Sequence, residues 1–85
     1  MGELEARAER LHTREELAAF LDNLADSLVE EPEVWENDTL ERFLRAWSAW
    51  IGDMDGYFAH QGLSAPEVPS WQLVAQMLLA ARVYE

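Results

Sequence analysis

An all-α fold, a compact bundle of three main helices at about 14–30, 39–60 and 70–84 with a short N-terminal helix, is predicted by three observations. Apolar residues recur every three to four positions along each long segment. Thr13, Asp38 and Ser70 stand where helix N-caps are expected, and prolines separate the segments. The 85 residues are read as one domain, because a chain this short buries only about 60–65% of its unfolded surface and needs a single dense core.

Leu4, Ala8 and Leu11 fall at spacings of four and three, enough for a short amphipathic helix, with a frayed start over residues 1–12 as the alternative. Thr13 followed by Glu16 is a capping-box pattern: the hydroxyl accepts from the N–H of the third residue, and the glutamate reaches back to the cap. Leu17, Phe20, Leu21, Leu24 and Leu28 then form a single apolar stripe, and Pro32 ends the helix by disfavouring helical geometry at Glu31. Asp38 with Glu41 repeats the capping-box spacing. Behind it Leu40, Phe43, Leu44, Trp47, Ile51, Met54 and Phe58 align at 100° per residue, with Trp50 and Tyr57 along the edge. Because this stripe continues past Gly52 and Gly56, the segment Asp53-Met54-Asp55-Gly56 reads as one turn of a long helix. The alternative is a helix stop at Gly52 followed by a turn. Ala46, Ala49, Gly52, Gly56 and Ala59 make an opposite face on which a backbone can approach closely. After a loop containing Pro66 and Pro69, Ser70 caps a last helix that is apolar nearly all round, the pattern of a helix buried mid-domain or against a partner.

Seventeen acids against six arginines, with no lysine, give a net charge of −11, which opposes nucleic acid and anionic membrane and suits a basic protein partner. General solubility is the plainer account of the same charge. Cysteine is absent, which excludes disulfides and thiolate metal sites and fits a reducing cytoplasm. No apolar run reaches the roughly 18–20 residues of a membrane span, and the N-terminus is too charged for a signal peptide, so the expected location is the cytoplasm.

Two sites from different functional classes compete. Glu30, Glu31, Glu33, Glu36, Asp38 and Glu41 lie around Trp35 with no basic residue among them, so they form either a solvated loop or a docking surface for a basic partner anchored by Trp35. A tryptophan in such a loop is more commonly a lid over the core than an anchor. The second set is Trp50, Asp53, Asp55, Tyr57 and His60, a small-ligand or metal site in which only the two aspartates invite metal. Helical geometry sets those carboxylates about 200° apart, and an EF-hand would need further oxygen ligands that the sequence after Gly56 lacks, so no metal is assigned. A local bond from Asp55 to a backbone donor or to Arg82 is the simpler role. His12 and His60 have no neighbouring nucleophile at a useful spacing, and glycine loops, nucleophile elbows and zinc spacings are absent, so no enzyme and no cofactor is expected.

Trp35-Glu36-Asn37, the stretch Asp53-Met54-Asp55-Gly56-Tyr57, Pro69-Ser70-Trp71 and the closing Tyr84-Glu85 together resemble a family of small acidic bacterial domains of unknown function. The resemblance runs from about Thr13 to Glu85 and departs at Phe58, where a second tyrosine is expected, and at Asp38, where proline is common. It implies domain limits and no activity, cofactor or catalytic residue. The functional expectation is therefore a protein-interaction module, an immunity- or antitoxin-like inhibitor of a basic partner. The alternatives are a ligand- or metal-binding domain centred on Asp53 and Asp55, a structural homodimer, or a nucleic-acid mimic.

Overall fold

A computed structural model describes residues 2–85 and measures 35 × 27 × 22 Å along its principal axes. Among these described residues four helices follow in order: α1 (Glu3–Arg10), α2 (Arg14–Glu30), α3 (Leu40–His60) and α4 (Trp71–Ala81), with a 3-10 turn at Pro32–Val34. The all-helical expectation holds. α4 is the hub, with α1, α2 and α3 each packed against it.

The short N-terminal helix expected at the start of the chain is present. α1 is an eight-residue helix whose Ala8, with Leu11 just beyond its end, enters the core. The small side chain of Ala8 lets α1 lie close to α4, where Ala75 is equally buried. The Gln72 side chain donates to the carbonyl of Glu9, and Arg82 pairs with Glu5 at 3.4 Å, so both ends of α1 are tied to the last helix or the turn after it. None of these partners is local, so a short apolar pattern gave no sign of them.

α2 has the expected bounds and the expected cap. Thr13 Oγ1 accepts from the Glu16 N–H at 3.1 Å, and Glu16 Oε1 accepts from the N–H groups of Thr13 and His12 at 3.2 and 3.0 Å. The backbone N–H of His12 and then the Thr13 side chain hold the Glu16 carboxyl below its ordinary 4.5. A carboxylate with a depressed folded-state pKa contributes stability that is present above the unfolded value and is lost as pH falls through the folded one. In urea titrations between pH 3 and 7, Glu16→Gln is therefore expected to reduce stability at neutral pH and to flatten the acid limb; equal loss at every pH would show that Glu16 does not act through its charge.

α3 runs unbroken through Gly52 and Gly56, so the Asp53–Gly56 segment is helix. Its cap lies one residue later than the Asp38–Glu41 spacing suggested. Thr39 Oγ1 accepts from the Arg42 N–H at 3.2 Å, while Asp38 is occupied by the Arg42 guanidinium at 3.1 Å. The buried face is also turned from the expected stripe by roughly a quarter of the helix circumference. Trp50 and Ala46 face inward, flanked by partly buried Phe43, Trp47, Met54 and Phe58, whereas Leu40, Leu44 and Ile51 remain exposed. Burying the larger indole of Trp50, with Ala46 beneath the crossing, favours this orientation over one that buries the leucines.

α4 begins at its predicted cap, with Ser70 Oγ accepting from the Leu73 N–H at 3.0 Å, but ends at Ala81 and not at Tyr84. The last carbonyls are taken by another part of the chain, so the helix has no need to continue. Around α4 the core falls into two clusters. The larger joins Ala8, Leu11, Leu17, Phe20, Leu24, Trp35, Ala75 and Leu78, and the smaller joins Trp50, Leu73 and Met77, with Trp47 packed against both. No described helix is long and apolar enough to cross a membrane.

Candidate functional site

The acidic stretch that joins α2 to α3 divides by environment. Trp35 is not at the surface: only 9% exposed, its ring lies 5.6 Å from that of Phe43, its Nε1 donates to Ser27 Oγ at 3.1 Å, and the Arg82 guanidinium sits 5.9 Å from its ring centroid. An aromatic with one apolar face and one polar tip closes a core over a loop in this way. Of the two roles open to Trp35, lid over the core and interface anchor, its packing is that of the lid. Asp38 and Glu41 are neutralised from the next turn of α3, by Arg42 at 3.1 Å and by Arg45 at 3.0 Å. Glu30, Glu31, Glu33 and Glu36 are exposed and form no ion pair among the described residues.

Two of these four open onto a cleft. Glu30 and Glu31 line a groove of about 520 Å³ between α1, α2 and the 3-10 turn, together with Asp26, with Glu3 and Glu5 from the opposite wall, and with Val34. Its two guanidiniums are already engaged, Arg7 with Glu3 at 3.0 Å and Arg82 with Glu5 at 3.4 Å. Asp26, Glu30 and Glu31 thus form no ion pair among the described residues. They also sit at the wrong end of their helix. The last turn of α2 contains no basic residue, and Asp22, Asp26 and Glu30 follow at four-residue intervals, so each carboxylate repels the next, and Glu30 and Glu31 also oppose the negative end of the helix dipole. Exposed Val29 and Val34 flank this surface, giving it an apolar border.

Asn37, the one amide side chain within the acidic run, was given no role of its own by sequence reasoning. Its backbone N–H donates to Arg82 O at 2.8 Å, and its side-chain amide donates to the carbonyls of Ala81 and Tyr84, both at 2.9 Å. It closes the C-terminal end of α4. An amide amid so many carboxylates is the available signal, because its NH2 can donate twice where an ionised carboxylate only accepts.

The second candidate set does not assemble. Trp50 is buried, its ring 5.4 Å from Tyr57, while Asp55 and His60 are exposed on the surface of α3. Asp53 accepts a 2.5 Å hydrogen bond from the Tyr84 hydroxyl, which first of all raises the Tyr84 pKa above 10.0, with burial and the nearby negative charge adding to it. Arg82, expected near Asp55, instead pairs with Glu5. Among the described residues no three His, Asp or Glu side chains come together as a metal ion would require.

A model of DUF7660, a family of unknown function, matches residues 13–85, and the chain belongs to that family. The match opens at the cap of α2 and leaves α1 outside it. No curated protein and no solved structure matches the chain.

Proposed function

We propose that this DUF7660 member is a protein-interaction module whose acidic surface, from the α1–α2 cleft across Glu30, Glu31, Glu33 and Glu36, receives a basic segment of another protein, as an immunity- or antitoxin-like inhibitor would. The observation that carries the reading is the placement of Asp26, Glu30 and Glu31 at the C-terminal end of α2, in no ion pair among the described residues and, for Glu30 and Glu31, against the helix dipole. Acidity for solubility alone has no need of this position, since the same charges elsewhere would not oppose the helix. A partner's arginines or lysines relieve the repulsion. Val29 and Val34 add apolar contact at its border, so the segment that fits carries both basic and apolar side chains.

The double variant Glu30→Lys/Glu31→Lys is expected to do two opposite things. Free protein should gain about 0.3–1 kcal/mol, roughly 2–6 °C in melting temperature, as the helix end loses its repulsion. Capture of the native partner from host lysate should fall at least about tenfold, and capture by the unmodified protein should weaken steeply with added salt. Equal capture by variant and wild type, or capture indifferent to salt, sinks the proposal.

A further inference from the structure

α1 is the least secured of the four helices. α2, α3 and α4 each open on a hydroxyl that accepts from the backbone N–H three residues on, whereas Gly2 gives α1 no side-chain cap. Of the eight residues of α1 only Ala8 is buried, with Leu11 just beyond its end. Open grooves flank it: about 260 Å³ where Arg7 and Arg10 face Ala19 and Phe20, and about 520 Å³ at the acidic cleft. A third, of about 430 Å³, lies past its end between His12 and Trp71. A helix this short does not persist alone in water, so α1 keeps its form only while docked on α2 and α4. It also lies outside the residues that the family model matches.

The cleft works against this docking. α1 brings Glu3 and Glu5 to one wall and the other carries Asp26, Glu30 and Glu31, so five carboxylates meet only Arg7 and Arg82 and three negative charges are left over. Like charges on facing walls push them apart. Against that repulsion stand the burial of Ala8 and Leu11, the bond from the Gln72 side chain to the Glu9 carbonyl, and the Arg82–Glu5 pair at 3.4 Å.

We infer that α1 is a lid that opens as one unit from an otherwise folded chain, and that positive charge entering the cleft holds it shut. The inference rests on the reading of the cleft as the receiver of a basic segment. Such a segment attracts both walls at once, so occupancy favours closure and closure favours occupancy to the same degree. Opening withdraws Ala8 and Leu11 from the core they share with Phe20, Ala75 and Leu78, and takes Glu3 and Glu5 away from the cleft. The open form therefore has half a site, and a partner that binds also orders the start of the chain.

Amide hydrogen exchange of the full chain, followed by NMR at increasing urea below the unfolding transition, tests this. The amides from Arg7 to Leu11 should exchange at one shared rate, at least about tenfold faster than those of Met77 and Leu78 in α4, and with a smaller urea dependence. Glu30→Lys/Glu31→Lys places two positive charges on the wall facing Glu3 and Glu5. It should slow the α1 amides by about two- to fivefold relative to α4, the size of one or two exposed charge interactions. The α4 amides report any change in global stability, so the ratio isolates the lid. Three results overturn the inference: α1 exchanging as slowly as α4, rates graded from a fast Arg7 to a fully protected Leu11 as in simple end fraying, or an α1 rate unmoved by the lysines. This measurement needs no partner, so it stands apart from the capture experiment: unchanged capture sinks the acidic-surface reading, and unchanged exchange sinks the lid.

Discussion

Trp35→Ala is expected to remove about 3–5 kcal/mol of stability, measured by urea denaturation of the free protein. Domains of this size have only about 4–13 kcal/mol in total, so the variant should be largely or marginally folded at 25 °C according to where wild type stands in that range. The loss arises because one side chain touches Phe43 of α3, bonds Ser27 of α2 and lies beneath Arg82 beyond α4, so its removal loosens three helices at one point. Trp35→Phe keeps most of the packing and leaves Ser27 without its indole donor, a change expected to cost about 1 kcal/mol beyond the lost area. An interface anchor would behave differently, with a free protein close to wild type and only complex formation impaired. A near-neutral Trp35→Ala would therefore restore the interface reading.

Asn37→Ala should cost about 2–3 kcal/mol, seen as a fall of roughly 8–20 °C in melting temperature, because the carbonyls of Ala81 and Tyr84 lose their shared donor in a partly buried place. Asn37→Asp is the sharper test. It preserves shape, removes both donors, and places a carboxylate against two carbonyl oxygens at the negative end of α4. It should destabilise at least as much as alanine does. An aspartate variant as stable as wild type would mean that side-chain volume, and not donation to α4, is what position 37 requires.

Local features of the fold were legible, and the non-local ones were not. The Thr13–Glu16 box and Pro32 delimit α2 within the reach of four residues, and Ser70 opens α4 in the same way. Whether the next helix is capped by Asp38 or Thr39 turned on where the Arg42 side chain goes, which spacing alone does not decide. Periodicity revealed the length of α3 but misplaced its buried side, because Leu44 and Trp50 are both apolar and only contact with α4 ranks them. In the candidate site the acids were plain from the sequence, and the pairing of Asp38 and Glu41 with arginines four residues on follows from helix geometry. The other wall of the cleft, Glu3 and Glu5, comes from a helix that packs on the far end of the chain. Asn37 likewise finds its partners 44 and 47 residues away, beyond any local pattern.

The hub position of α4 also sets the order in which the molecule can be built. α1, α2 and α3 leave the ribosome before the helix against which all three pack, and until Trp71–Ala81 has emerged their apolar faces have no shared partner. The contact between α1 and α4 closes a loop of more than sixty residues, an unusually long-range pairing for a helical protein, and long loops of this kind slow folding. Nascent chains halted before α4 should therefore display the leucines of α2 and the tryptophans of α3 to the surrounding solution, making this the stretch of synthesis in which a chaperone has something to hold.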